Sequence, residues 1–190
     1  MKNKETFSTY KICLIAMMAA VVYVVTMFRF PFMGTKVHFA NAMCLLSGLL
    51  FGPVGGGLAA GLGSGLNDLL YGGYGIVDAL VTFVSKFAMA FICAHIAGVL
   101  SEKDGKEPGK VRLIIASVIG ALSYVVLYMI KTFIFQKFVY GFPDETVFAA
   151  MAAKLPGSLI NAVFAMVVAP IFYAAVKPAL AKVGLLKKLR

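Results

Sequence analysis

Three lysines, Lys86, Lys131 and Lys154, interrupt long apolar segments of this 190-residue chain. Ionisable side chains are expensive in such segments, and they are therefore the first candidates for a functional site. A lysine suits a carboxylate, a phosphate or a carbonyl oxygen, and a tyrosine can stack on a heteroaromatic ring. The pattern favours binding chemistry rather than catalysis. The candidate binding residues are Asn67, Asp68, Tyr71, Tyr74, Asp78, Lys86, Tyr124, Tyr128, Lys131, Lys154 and Asn161.

The segments that carry these residues are too apolar for a soluble fold. Hydrophobic residues make up 61% of the chain and charged residues only 14%, against roughly half and a quarter in a typical soluble domain. Several stretches reach the ~20 residues that cross a hydrocarbon core as a helix. We therefore expect an all-α integral membrane protein that forms one domain of six transmembrane helices. The predicted spans are approximately 10–28, 37–50, 54–70, 77–100, 111–138 and 147–176. The second and third also fit one re-entrant pair.

The distribution of basic residues predicts the orientation. The net charge of +10 would suggest nucleic acid as a partner of a soluble protein. In a membrane protein it reflects the excess of Lys and Arg on the cytoplasmic side. With both termini in the cytoplasm, the inner side carries Lys2, Lys4, Lys11, Lys103, Lys106, Lys110, Arg112, Lys177, Lys182, Lys187, Lys188 and Arg190, and the outer side only Arg29, Lys36 and Lys137. We expect a multi-pass protein of the cell membrane, with both termini cytoplasmic and no nucleic-acid partner.

This orientation places the candidate residues mostly in the outer half of the membrane, where two interpretations remain open. They could line a cavity of apolar and aromatic groups with a few convergent polar groups, as in sites for small organic ligands. Alternatively, Lys131 and Lys154 extend to the outer headgroups, and Asp78 pairs with another charge. Asp78 and Lys86 are eight residues apart on one helix, too far for direct contact, so such a pair would have to involve a neighbouring helix.

No motif indicates an enzyme or a metal site. The Gly-rich stretch 61–65 lies inside an apolar span and lacks the strand, loop and helix context of a phosphate-binding loop. His38 and His95 fall at opposite ends of the predicted bundle, and no HExxH or paired-Glu arrangement is present. The three cysteines lie singly in apolar segments, as small buried hydrophobic residues do. We expect no cofactor in this chain, and it has no Walker A motif.

Small residues recur at helical spacing in two of the predicted spans. Ala16 and Ala20 are one turn apart in the first, and Gly57, Gly61 and Gly65 follow the same spacing in the third. Such spacing lets helix backbones approach closely. For the glycines, packing inside the bundle is the favoured interpretation. For the two alanines, internal packing and an external helix partner are equally compatible with the sequence.

Taken in order, these features resemble the substrate-binding S components of energy-coupling factor (ECF) vitamin transporters. The resemblance covers essentially the whole chain. Its most specific part runs from His38 to Leu70, with an apolar helix, a Phe-Gly-Pro turn, a Gly-rich helix and the terminal Asp68. The Ala-x-x-x-Ala pattern of the family's first helix is matched by Ala16 and Ala20.

The resemblance implies a non-enzymatic uptake subunit that captures a vitamin or a related heteroaromatic micronutrient. Riboflavin is the first expectation, with folate, pantothenate, pyridoxine and a thiamin precursor as alternatives. The segment from Arg29 to Val37 would be part of a lid, and Ala16 and Ala20 would dock a transmembrane coupling subunit. Two cytoplasmic ATPases would use the ATP. The competing hypotheses are a stand-alone transporter or channel, against which no 3+3 repeat is evident, and a structural membrane subunit that binds no ligand.

Overall fold

The computed structural model describes residues 9–72, 75–99 and 108–184. Within these residues the helices are α1 (Thr9–Met27), α2 (Ala40–Asn67), α3 (Gly75–Ala97), α4 (Lys110–Ile134) and α5 (Asp144–Lys182). A π-helical turn extends α2 to Gly72, and another extends α4 to Val139. All five helices are long and apolar enough to cross a membrane. The prediction of an all-α membrane protein is thus confirmed for the spanning region.

The predicted second and third spans are joined in α2, which folds back on itself at Gly52. Gly52 has φ 77° and ψ −179°, a conformation that suits glycine and strains other residues. Pro53 follows it and cannot donate a backbone hydrogen bond to the preceding turn. Cys44 Sγ and Ser64 Oγ lie 3.6 Å apart, whereas 20 residues of straight helix would separate them by about 30 Å. The two halves of α2 therefore run antiparallel, side by side.

Contact between the two halves depends on Gly48 and Gly56. A Cβ atom on Gly56 would overlap the Gly48 Cα and the Ser47 carbonyl oxygen. Ser47 Oγ also donates to the Gly56 carbonyl oxygen at 2.9 Å. A side chain at Gly56 would therefore force the two halves of α2 apart, and one at Gly48 would overlap the backbone of Ala90 in α3.

The glycines singled out in the sequence face α3, so packing inside the bundle is confirmed for them. A Cβ atom on Gly57 would lie 2.8 Å from the Phe87 ring, and one on Gly61 2.9 Å from the Phe83 ring. At Gly65 the nearest atoms, 3.2 Å away, belong to Ala79 and Phe83. As a result α2 is the central helix, with 89% of its most apolar stretch buried, against 22–33% in the other four helices.

The connection between α1 and α2 is a two-stranded antiparallel hairpin that the sequence analysis missed. Strands β1 (Arg29–Phe32) and β2 (Thr35–His38) are joined by a two-residue turn. The turn residues Met33 and Gly34 both have positive φ, 42° and 71°, as a type I′ hairpin turn requires. The predicted start of the second span at residue 37 is therefore wrong, because residues 37 and 38 belong to β2 and the helix begins at Ala40.

The remaining predicted spans correspond to α1, α3, α4 and α5, and α5 is longer than predicted at both ends. Part of the predicted orientation rests on basic residues that lie outside the described ranges. One candidate site residue also lies outside these ranges. These are Lys2, Lys4, Lys103, Lys106, Lys187, Lys188 and Arg190, together with Tyr74.

Candidate functional site

A cavity of about 580 Å³ lies beneath the β-hairpin, among α3, α4 and α5. This volume falls in the range of sites for small organic ligands. Its lining combines charged, hydroxyl and aromatic side chains drawn from every element around it. Seven of the candidate residues line it: Asp68, Asp78, Tyr124, Tyr128, Lys131, Lys154 and Asn161.

One wall of the cavity is aromatic. Tyr124 and Tyr128 are one turn apart on α4, and their rings are stacked, with centroids 6.2 Å apart and planes inclined by 21°. Phe135 and Tyr140 add two more aromatic rings to the cavity lining. Such a surface suits a planar heteroaromatic ligand, because aromatic groups prefer offset-stacked or edge contacts.

Lys86 lies behind this wall, against the Tyr124 ring, and does not itself line the cavity. It is 2% exposed, and its Nζ lies 3.5 Å from the centroid of the Tyr124 ring. The ammonium group also donates a hydrogen bond to Asn41 Oδ1. A cation held against a ring face in this way is attracted to the electrons of the ring, so Lys86 fixes the position of Tyr124.

Asp78 pairs with a neighbouring helix rather than with Lys86. Its Oδ1 lies 2.7 Å from Lys131 Nζ, and both side chains are more than four-fifths buried. The pair joins α3 to α4 and faces the cavity. A structural pair with a neighbouring helix, one of the possibilities considered for Asp78, is thus also part of a polar cavity lining.

The β-hairpin is held over the cavity by side chains of α4 and α5. The Asn161 carboxamide bridges β2, because its Nδ2 donates to the Lys36 carbonyl oxygen at 2.7 Å and its Oδ1 accepts from the His38 amide at 2.8 Å. The hydroxyl groups of Thr35 and Tyr128 lie 3.1 Å apart. The carboxamide thus forms hydrogen bonds with the backbone of β2 that a neighbouring strand would otherwise form.

The base of the hairpin is fixed to the end of α2 by Arg29. Its Nη2 donates to the Tyr71 carbonyl oxygen at 2.9 Å, and its Nη1 to Asn67 Oδ1 at 3.4 Å. The guanidinium group also lies 3.8 Å from the Asp68 carboxylate. Both the base and the turn side of the hairpin are therefore anchored to the helices.

His38 brings a neutral imidazole into the cavity lining. Its Nδ1 is buried and has no hydrogen-bond partner among the described residues. Burial lowers the pKa of His38 from 6.5 to about 3, and the positive charges of Lys86, Arg29 and Lys36 add to this effect. At neutral pH the imidazole is therefore uncharged.

A sequence model of the family described as ECF-type riboflavin transporter, S component, matches residues 6–178. The chain belongs to this family. The resemblance found in its motifs is thereby confirmed, and the family is one of transporter subunits rather than enzymes.

Structural comparison agrees with the family at the level of the fold. A solved structure, described as the S component of a bacterial ECF transporter, matches with a TM-score of 0.68 and 19% sequence identity. The match covers 90% of this chain and 97% of the other. No curated protein sequence matches the chain.

Three of the candidate residues do not line the cavity of this S component, and Tyr74 lies outside the described ranges. Asn67 is buried and donates from Nδ2 to the Tyr23 carbonyl oxygen at 3.1 Å. Tyr71 is exposed, with its ring 6.1 Å from that of Tyr23 in an edge contact. Lys86 lies beneath the aromatic wall. Among the described residues, no group of three His, Cys, Asp or Glu side chains is placed to hold a metal ion.

Sequence analysis missed several polar residues that line the cavity. Thr82 and Ser85 share a helix face with Asp78, and Ser158 shares one with Lys154 and Asn161, so extending each face by i+3 and i+4 would have found them. The hairpin residues carry a weaker signal, a glycine at the second position of the two-residue turn between residues 29–32 and 35–38. The missed polar residues are Thr26, Arg29, Thr35, Lys36, His38, Thr82, Ser85, Thr132, Gln136, Tyr140 and Ser158, and the apolar Phe135 was missed as well.

Proposed function

We propose that this S component binds riboflavin in the cavity beneath the β-hairpin. The observation that carries the proposal is the stacked Tyr124–Tyr128 wall inside a cavity of about 580 Å³. A flavin has a flat ring system that can lie on this wall. The carbonyl and N–H groups on its ring edge need polar partners, which the hydroxyl groups of α3 and the imidazole of His38 offer. The family description, which names riboflavin, supports the same ligand.

The β-hairpin acts as a lid in this proposal. The ligand enters when the contacts of Asn161 and Tyr128 to β2 open, and it is enclosed when they re-form. Arg29 keeps the base of the hairpin attached to α2, so the movement is concentrated at the turn around Gly34. Enclosure also removes water from the hydrogen bonds to the ligand, which makes them stronger.

Titration of riboflavin by its own fluorescence tests the proposal. Binding against tyrosine quenches flavin emission, so Kd can be measured on the detergent-purified protein. Tyr124→Leu should raise Kd by about tenfold or more, because it removes the stacking surface. Tyr71→Leu is the matched control, since Tyr71 lies outside the cavity, and it should leave Kd unchanged. Equal affinity in wild type and Tyr124→Leu would contradict the site, and binding of a different vitamin in place of riboflavin would contradict the ligand.

The proposal includes six membrane segments, with both termini in the cytoplasm. It is supported by the fold-back of α2 at Gly52 and by the distribution of basic residues. The first half of α2, residues 40–51, is only about 18 Å long. It therefore crosses only part of the membrane, and the β-hairpin forms the outer end of this segment.

In a Cys13→Ser background, Glu145→Cys should react with an impermeant maleimide from outside the cell, and Gly109→Cys should not. The reverse pattern would invert the topology.

The partners in this proposal are a transmembrane coupling subunit and two cytoplasmic ATPases, which use the ATP. Ala16 and Ala20 are exposed on α1. Ala16 lines a shallow apolar groove with Ile12, Ile15, Leu58 and Leu62. Small residues such as these allow a helix of another subunit to approach closely, which supports docking at this groove.

Ala16→Trp should abolish co-purification with the coupling subunit and leave riboflavin binding intact. Val126→Trp, on the exposed surface of α4, should affect neither. Retained co-purification in Ala16→Trp would place the interface elsewhere.

A further inference from the structure

The two faces of the β-hairpin differ in polarity. The hairpin residues that line the cavity are Arg29, Pro31, Gly34, Thr35, Lys36 and His38. Phe30 lies on the opposite face, because side chains alternate along a strand. It is 65% exposed, and Met33 in the turn is 62% exposed. A lid that separated the cavity from water would carry its polar residues on the outside, whereas this hairpin directs them inward.

The exposed face of the hairpin continues the exposed surfaces of the helices beside it. Phe28, which joins α1 to the hairpin, is 66% exposed and follows the exposed residues Val24 and Met27. At the other end of the hairpin, the Phe39 ring lies 5.3 Å from the Phe164 ring of α5 in an edge contact. Because α1 and α5 are long and apolar enough to cross a membrane, their exposed apolar side chains face lipid. The outer face of the hairpin therefore borders lipid-facing surface on both sides.

The hairpin lies beside the apolar part of α5 rather than above its end. Asn161, which binds β2, is about 25 Å along the helix axis from Asp144, where α5 begins. One turn earlier, a Cβ atom on Gly157 would overlap Thr35 Cγ2. Strand β2 thus follows α5 for more than one turn inside the segment that crosses the membrane.

The edges of the hairpin also suit a position in lipid, where an unpaired backbone donor is costly. The edge of β2 is paired, because Asn161 binds the Lys36 carbonyl oxygen and the His38 amide. Across the hairpin these two residues pair with Pro31 and Arg29, whose backbone groups therefore point to the opposite edge. Pro31 has no N–H group to leave unpaired there. Water would satisfy such groups without this arrangement.

We infer that the outer face of the β-hairpin contacts lipid acyl chains, in the leaflet where the cavity lies. The lid then has lipid on one side and the cavity on the other. Opening of the lid moves Phe30 and Met33 through acyl chains rather than through water, so ligand exchange takes place at the boundary between the membrane and the solvent. The inference goes beyond the proposed function, because it concerns a lipid partner and holds for any ligand of the cavity.

A single introduced indole can test this contact, because the chain contains no tryptophan. The full chain carrying Phe30→Trp is placed, without ligand, in bilayer nanodiscs of phosphatidylcholine with brominated acyl chains. Bromine quenches an indole that touches the chains, and iodide quenches one that is in water. We expect brominated lipid to remove most of the emission seen in unbrominated lipid, and iodide to leave the emission unchanged. Met33→Trp takes the place of Phe30→Trp if the latter does not fold.

Two exposed positions serve as controls. Val126→Trp, on the exposed surface of α4, should be quenched by brominated lipid and not by iodide. Glu145→Trp, in the acidic first turn of α5, should show the reverse. If the hairpin indole behaves as in Glu145→Trp, its outer face lies in water and the inference is overturned; a face that only another protein subunit covers would give this same result. Neither outcome bears on riboflavin binding, which the fluorescence titration measures separately.

Discussion

The two ends of the helix bundle differ in how closely the backbones approach each other. Near the turn at Gly52, α2 packs on itself through Gly48 and Gly56, where a single Cβ atom would meet backbone. At the hairpin end, large polar and aromatic side chains such as Tyr128 and Lys131 stand between the helices around a cavity of about 580 Å³. Small residues bring helices together and large polar ones hold them apart. Rigidity at one end thus supports a binding cavity at the other.

The largest effect is expected from adding a methyl group at the packed end. Gly56→Ala should lower the free energy of unfolding by about 1–3 kcal/mol or more, because the new Cβ meets the backbone of Gly48 rather than a side chain that could move. Thermal unfolding in detergent measures the loss. Gly109→Ala is the control, since a Cβ atom there has nothing within 4 Å. A Gly56→Ala protein as stable as wild type would mean that the two halves of α2 do not touch.

A smaller effect is expected when the lid is loosened at the cavity end. Asn161→Leu removes both hydrogen bonds to β2, each worth about 0.5–1.5 kcal/mol. The rate of riboflavin dissociation should therefore rise about tenfold. Asn161→Asp keeps the acceptor for the His38 amide and loses the donor to Lys36, so its rate should be intermediate. Stopped-flow fluorescence gives the three rates, and identical rates would show that the hairpin is not the barrier to release.

Near neutral pH the smallest effect is expected from the protonation of His38 in the lid. Because burial lowers the pKa of His38 to about 3 in the folded protein, the unfolded chain takes up a proton near pH 6.5 while the folded protein does not. The free energy of unfolding should therefore be unaffected by His38 above pH 6.5 and decline as the pH falls from 6.5 toward 3. His38→Gln should flatten this slope when unfolding is followed across that range. An unchanged slope would mean that His38 is accessible to protons in the folded protein.

Much of the packed end was predictable from local sequence. A glycine every fourth residue leaves one face of a helix without side chains, and Gly57, Gly61 and Gly65 pack inside the bundle as expected. Their partner, α3, was not predicted. The Phe-Gly-Pro turn marked the point where α2 reverses. These features depend on residues close together in the chain, where helix periodicity decides which side they occupy.

The cavity end was predictable only in part. Depth along a helix follows from counting residues, and Asp78, Lys131 and Lys154, which depth had grouped, all line one cavity. Depth does not give the direction in which a side chain points around the helix axis. For this reason Tyr71 was grouped with the cavity although it is exposed, and Lys86 although it lies beneath the wall.

The sequence by itself determined that the chain enters a membrane as helices, that it belongs among the S components, and which polar residues share a depth. Apolar length, residue spacing and motif order carry that information without reference to distant contacts. Only the tertiary structure decided that residues 29–38 form a hairpin, that Asn161 holds it from more than 100 residues away, and that Lys131 rather than Lys86 neutralises Asp78. Each of these depends on how helices rotate and approach when small residues pack, which no single segment specifies.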